Sequence, residues 1–253
     1  MKHAERRDLP LQGPNAPARP IGAALQWILS GPLCGLFRVR VHGLENLPAG
    51  AGIISGNHVS LFDGILLFAI ERKYRLTIRL IAKAELYDVK LFAWALDHLG
   101  CIPVKRGTAD RAMITQASKA LIAGEKLSVF PEGHRIRKGE DERAVDPDAL
   151  GEAHGGAAYL ALRTASPLIP TGIAGTERIK PPGQRLPHLP CVDIVFGQPI
   201  DPVALADSDP AFAALARKEK ITQLTEMLME RIQVESRRAR DINARRRGYT
   251  LVD

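Results

Sequence analysis

The stretch GIISGNHVSLFDGILLFAI, residues 52–70, holds the signature on which the fold turns. It opens with a short apolar run, Gly52–Ser55, of strand length and bounded by glycine. A polar turn follows, and then the apolar segment Leu61–Ile70, long enough for a helix. Strand, polar turn and helix in direct succession describe half of a βαβ unit. The same alternation extends both ways along the chain. Arg38–Val41, Thr77–Ala82, Cys101–Val104, Leu127–Phe130, Leu168–Ile173 and Val192–Phe196 read as further strands. Leu91–Leu99, Ala109–Ala123 (closed by Gly124) and Ala153–Thr164 read as helices. Alternating strands and helices predict an α/β layer architecture, with no internal repeat. The polar segment Arg137–Asp148 and the proline-rich Lys180–Pro190 read as loops. A last helix is expected from Asp209-Pro210, with proline at its first turn. Its apolar stripe is Ile221, Leu224, Leu228 and Ile232.

The chain has 253 residues, 45% hydrophobic and 25% charged, which excludes wholesale disorder and allows a sizeable core. Cys34, Cys101 and Cys191 lie far apart and show no C-x-x-C spacing. That excludes a disulfide scaffold, fits a reducing compartment and gives no support to a structural zinc site. The formal net charge of +7 calls for an anionic partner: nucleic acid, a membrane surface or a phosphorylated substrate. Only 5% of residues are aromatic, little material for stacking bases. Between Arg217 and Arg247 there are ten Lys/Arg against five Asp/Glu, so most of the surplus sits on the last helix. A solvated amphipathic helix with a basic tail, attraction to anionic lipid, and nucleic-acid binding are the readings open there.

Residues 1–20 are rich in Pro, Arg and Gly and read as a flexible arm. Ile21–Phe37, IGAALQWILSGPLCGLF, is free of charge between Arg19 and Arg38. Its 17 residues fall short of the roughly 20 needed to cross a bilayer. On a helix Gly22, Gln26 and Ser30 share one narrow stripe and the other faces are greasy. The expectation is two short helices, broken near Gly31-Pro32, that dip into one leaflet. A core helix is the competing reading. A cleaved signal is disfavoured by Glu5 and Asp8 upstream and by the lack of an A-x-A-like site. Residues 38–253 then form the main domain.

There is no G-x-G-x-x-G, P-loop, H-E-x-x-H or G-x-S-x-G. Three polar blocks instead follow predicted strands. In the first, Asn57-His58-Val59-Ser60-Leu61-Phe62-Asp63, the carboxylate of Asp63 sits in the first helical turn. It can fold back on His58 Nδ1 and leave Nε2 to act as a base. Ser60 and Asp63 also satisfy an S-x-x-D capping box, which needs no catalysis. In the second, Phe130-Pro131-Glu132-Gly133-His134-Arg135, glycine permits close approach of a ligand and Arg135 offers a forked donor for phosphate. The third, Gly100-Cys101-Ile102-Pro103-Val104-Lys105-Arg106-Gly107, ends a strand in two cations, where α/β sheets hold ligands. Ordinary turns are the alternative for the last two blocks.

In order and spacing these blocks resemble the glycerophospholipid acyltransferase family, typified by bacterial 1-acylglycerol-3-phosphate acyltransferases. The resemblance runs from about Val39 to Gly197. It comprises Asn57, His58 and Asp63; Gly100, Ile102 and Arg106; Phe130 to Arg135; and a fourth, weaker block, Leu168-Ile169-Pro170-Thr171-Gly172. His134 and Ile136 stand where that family usually has Thr and Ser. The implied fold is α/β, a mixed central sheet flanked by helices, with an N-terminal apolar helical segment and a basic C-terminal helix. The implied reaction moves an acyl group from acyl-CoA or acyl carrier protein, as co-substrate, to the hydroxyl of lysophosphatidate. His58 and Asp63 would be catalytic, and Arg106, Glu132, Gly133, Arg135 and Asn57 would bind substrate. Neither a metal nor a cofactor is expected, and a Cys101 nucleophile is disfavoured for want of a base beside it. The expected partners are a lysophospholipid, the acyl donor and a membrane surface at the cytoplasmic face of the cell membrane, not nucleic acid. Two alternatives stay open. One is the same chemistry on another acceptor (glycerol-3-phosphate, another lysophospholipid, a glycolipid or an amino-acid lipid). The other is a non-catalytic membrane- or nucleic-acid-binding module.

Overall fold

A computed structural model describes residues 20–105, 110–131, 153–180 and 188–248. Among them, seven strands and eight α-helices follow in the order α1 (Pro20–Leu36), β1 (Arg40–His42), β2 (Gly52–Gly56), α2 (Phe62–Tyr74), β3 (Ile78–Lys83), α3 (Lys90–His98), β4 (Ile102–Val104), α4 (Arg111–Ile122), β5 (Lys126–Ser128), α5 (Gly156–Thr164), β6 (Leu168–Ala174), β7 (Asp193–Phe196), α6 (Pro202–Ser208), α7 (Pro210–Ala214) and α8 (Arg217–Arg246). The strands form one sheet in the order β1-β7-β6-β2-β5-β3-β4. Every neighbouring pair is parallel except β6 and β7, which run antiparallel, so the sheet is mixed.

The side-chain period of two sorts consecutive strand residues to opposite faces. Ile54 and Ile169 pack on one side with Leu66, Leu67 and Ile70 of α2 and with Cys34 of α1. Ile53, Leu127 and Leu168 pack on the other with Ala117 and Leu121 of α4, Ala157 and Leu160 of α5, and Leu224, Leu228 and Ile232 of α8. β2, β6 and β7 are buried throughout, as expected where both sheet faces are covered.

Two expectations need correction. The apolar N-terminal segment is one helix, α1, with Pro32 inside it and no break at Gly31-Pro32. Its contacts with α2 span that step, with Cys34 Sγ 3.5 Å from the Ala69 carbonyl oxygen beyond it and two hydrogen bonds before it. Gln26 Nε2 donates to Glu71 Oε2 at 2.6 Å, and Ser30 Oγ donates to the Ala69 carbonyl. The final helical region is also divided: Asp209 caps the short α7, the chain extends through Leu215 and Ala216, and the long α8 starts at Arg217. The expected arm, and most of the loop expected before Pro190, lie outside the described residues.

The topology places a crevice at the carboxyl ends of β2 and β5. From β2 the chain crosses through α2 to β3, toward the β4 edge of the sheet. From β5 it crosses through α5 to β6, toward the β1 edge, on the opposite face. Adjacent parallel strands whose connections diverge in this way leave an opening above their ends, the usual ligand position in open α/β sheets.

Candidate active site

The loop after β2 carries His58 at the carboxyl end of that strand. Asp63 is fully buried in the first turn of α2, and one of its oxygens, Oδ2, organises the loop. It lies 3.0 Å from His58 Nδ1 and accepts the backbone N–H groups of Val59 at 2.9 Å and Ser60 at 2.8 Å. Because a carboxylate only accepts, this contact places the imidazole hydrogen on Nδ1 and makes Nε2 the basic nitrogen. The capping role and the histidine-holding role coexist. Asp63 reaches back to the Ser60 N–H as a capping box requires, but Ser60 Oγ accepts from the Phe62 N–H at 3.3 Å instead of from Asp63. A negative group at a helix start is also favoured by the helix dipole.

Asn57, expected among the substrate contacts, is buried and clamps the loop to the neighbouring strand. Its Nδ2 donates to the Ile173 carbonyl at 2.9 Å, and its Oδ1 accepts the Ile173 N–H at 2.8 Å. This continues the β2–β6 ladder by one step, beyond the Gly56–Thr171 pair. The fourth sequence block, on β6, therefore supplies the rail on which the His58 loop is fixed.

The second block enters from β5. The Val129 N–H donates to the Ile54 carbonyl at 2.9 Å and extends the strand pairing. Phe130 follows, and its ring stacks on the His58 imidazole with centroids 4.1 Å apart and planes inclined by 17°. The Pro131 carbonyl then accepts the His154 N–H at 2.8 Å. Glu132, Gly133, His134 and Arg135 lie outside the described residues, as does Arg106. Asp110 organises the third block from its far side: its Oδ2 accepts the Lys105 N–H at 2.9 Å, and its Oδ1 caps α4 through the Met113 N–H at 3.0 Å.

Behind the third block, Arg79 of β3 is buried, binding Glu125 through Nε at 2.5 Å and Nη2 at 3.2 Å and the Gly100 carbonyl through Nη1 at 3.0 Å. It fixes the chain that enters β4. Cys101 is 2% exposed, and burial pushes its thiol up to about 12. A thiol so buried and so shifted carries little thiolate at neutral pH, which speaks against a nucleophilic role. Arg79 and Asp110 were not singled out from the sequence, and Phe130 only as the first residue of the second block. A ring before a Pro-Glu-Gly run signals nothing about a histidine on another strand. Asp110 before Arg111–Ile122 does carry an N-cap signal.

Comparison with known proteins places the chain in a family. The Acyltransferase family model matches residues 38–174. An uncharacterised protein of Mycobacterium tuberculosis is 33% identical over 174 residues, covering 66% of this chain and 45% of that protein. The chloroplastic 1-acyl-sn-glycerol-3-phosphate acyltransferase of Arabidopsis thaliana is 26% identical over 153 residues, covering 59% of this chain and 39% of that protein. The chain thus spans less than half the length of these curated relatives. In fold it is similar to the crystal structure of the 1-acyl-sn-glycerophosphate acyltransferase PlsC of Thermotoga maritima, with a TM-score of 0.58 and 23% identity over 89% of this chain and 78% of that one. The matched span covers more than half of the chain and contains His58, Asp63 and Phe130 with the strands that carry them; the chain belongs to the acyltransferase family.

Proposed function

We propose that the chain transfers a fatty acyl group from a thioester donor, acyl-CoA or acyl carrier protein, to the hydroxyl of lysophosphatidate, giving phosphatidate. The observation that carries this reading is the His58–Asp63 pair at the carboxyl ends of β2 and β5. The Arabidopsis relative, named for action on 1-acyl-sn-glycerol-3-phosphate, supports the acceptor. Nε2 of His58 takes the proton of the acceptor hydroxyl as its oxygen attacks the thioester carbonyl carbon. The tetrahedral intermediate collapses, the carbon–sulfur bond breaks, and the imidazolium returns its proton to the departing thiolate. Asp63 holds the tautomer and stabilises the transient imidazolium. Arg106 and Arg135 hold the acceptor phosphate, with Glu132 and Gly133 shaping its pocket. Asn57 acts by holding the loop to β6. The His134 and Ile136 departures favour, as a second reading, the same transfer to a different lyso-acceptor.

Both substrates carry acyl chains, which favours a reaction at a membrane surface. Among the described residues no helix is long and apolar enough to cross a membrane. The role of α1 is to lie in the interface, and its orientation supports this. Gly22, Ser30 and Cys34 are buried and Gln26 is half-buried against α2, whereas Trp27 is 62% exposed and Ile28 58%. Leu91, Phe92 and Trp94 of α3 are exposed as well. A helix that packs through its small and polar stripe and turns its apolar side outward suits a lipid surface.

The test is thiol release from acyl-CoA with lysophosphatidate as acceptor. His58→Ala is expected to lower turnover about 10²- to 10⁴-fold with the fold intact. Turnover near wild type would overturn the assignment. A panel of acceptors with one labelled thioester identifies the preferred lipid.

A further inference from the structure

We infer that Phe130 is a positioning residue for the His58 imidazole, a role that rests on the reading of His58 as the base. The Nδ1–Asp63 contact holds one edge of the ring at 3.0 Å. An edge contact does not by itself fix the tilt of the ring plane, and tilting swings Nε2, on the far side, away from a bound hydroxyl. A flat face against the ring limits that tilt. Phe130 supplies it: at 4.1 Å and 17° the two planes are nearly parallel and in contact. The two constraints are independent in origin. Asp63 comes from α2 and Phe130 from the end of β5, and the His58 loop lies between them.

Phe130 itself is held on both sides. Before it, Val129 is paired to Ile54 of β2; after it, Pro131 is tied to the His154 N–H. The ring is only half-buried, on the margin of the core formed with α2, so filling that core is not its whole task. Its placement across the β2–β5 pair converts the register of two adjacent strands into the orientation of one imidazole. The acidic edge contact and the aromatic face both constrain the direction of Nε2. A misdirected base loses rate steeply with displacement because proton transfer needs hydrogen-bond geometry in the transition state.

The experiment compares Phe130→Leu, which keeps an apolar side chain but removes the flat face, with Phe130→Tyr, which keeps the face. Steady-state thiol release is expected to show kcat lowered roughly ten- to a hundredfold in Phe130→Leu, with KM for both substrates changed less than about twofold. Phe130→Tyr is expected to restore most of kcat. Proton NMR of the full chain supplies a readout independent of turnover. The His58 Cδ2–H and Cε1–H signals lie under the ring current of Phe130 and move downfield in Phe130→Leu but not in Phe130→Tyr. Thermal melting checks that both variants are folded. If His58→Ala abolishes turnover while Phe130→Leu keeps kcat, or raises KM alone, His58 stands as the base and the role of Phe130 falls. If His58→Ala keeps turnover, the reading of His58 fails and this role fails with it, while the NMR signals still report whether the rings stack.

Discussion

Glu71 shows how far a single buried group sets the behaviour of the chain. Its side chain lies under α1, 4% exposed, with Gln26 donating to one oxygen. Burial holds its carboxyl well above the usual glutamate range, against the weaker opposing pull of Gln26. The folded chain therefore keeps a proton that the unfolded chain releases near its ordinary value. Above that value the unfolded state binds fewer protons, so stability falls as pH rises, by about 1.4 kcal/mol per pH unit at most, until Glu71 ionises in the folded state. Glu71→Gln keeps the contact to Gln26 and removes the titration. Melting temperatures from pH 5 to pH 8 are expected to decline less steeply in the variant, and equal slopes would disprove the coupling. At this scale the sequence is partly legible. His58 and Asp63 are five residues apart across a helix start, so their meeting follows from local geometry. The Asn57 clamp on Ile173 spans 116 residues and the Phe130 stack joins two strands; both depend on strand order, which local pattern does not encode.

Between elements, α8 lies directly against β6 at Gly172. A Cβ on Gly172 would stand 2.0 Å from the Glu235 carbonyl oxygen and 2.6 Å from the Ser236 nitrogen, both backbone atoms of α8. Gly172→Ala therefore forces the helix off the strand that anchors the Asn57 clamp. A Cβ on Gly197 would meet the Glu235 side chain, at 2.6 Å from Oε1, and that chain can swing away. Gly172→Ala is expected to cost about 3 kcal/mol and Gly197→Ala clearly less, measured by denaturant unfolding. Equal losses would mean that α8 yields as easily as a side chain. Element existence was legible because each strand and each flanking helix carries its own apolar pattern. The continuity of α1 was not, because contacts to α2 outweigh the Gly31-Pro32 signal. Nor was the start of α8: Ala216 has no capping side chain, and the signal there is Glu219 reaching back to the Ala216 N–H at 2.9 Å. Pro210 marked a real helix start, but that of α7.

Across the whole molecule, charge and apolar surface are arranged on different sides of the sheet. The basic α8 covers the face opposite α1 and α2, so the cations nearest a bilayer lying on α1 are not those of the α8 midsection. Arg38 just after α1 and Arg72, Lys73 and Arg75 at the end of α2 are exposed on the α1 side, with Arg72 lying 5.8 Å from the Trp27 ring centroid. The end of α8 reaches the chain just after α1: Arg246 donates to the Arg38 carbonyl at 2.9 Å while also gripping the buried Asp193. The +5 surplus of Arg217–Arg247 is thus split between a remote helix face and a structural clasp. If α1 lies on lipid, apolar contact by Trp27 and Ile28 dominates and charge assists. Trp27→Glu combined with Ile28→Glu is expected to weaken binding to vesicles containing anionic phospholipid at least about tenfold, because two large apolar side chains leave the interface and two charges repel it. Both positions are exposed, so the melting temperature is expected to stay within about 2 °C of wild type. Raising salt to about 1 M is expected to weaken wild-type binding only partly, since screening removes the basic contribution and leaves the apolar one. Turnover on soluble short-chain substrates is expected to persist, because His58 lies at the carboxyl ends of the strands, whereas Trp27 sits beside Arg72 in the last turn of α2. Unchanged vesicle binding in the double variant would remove α1 as the lipid contact, and complete loss of wild-type binding in salt would transfer that role to the cations.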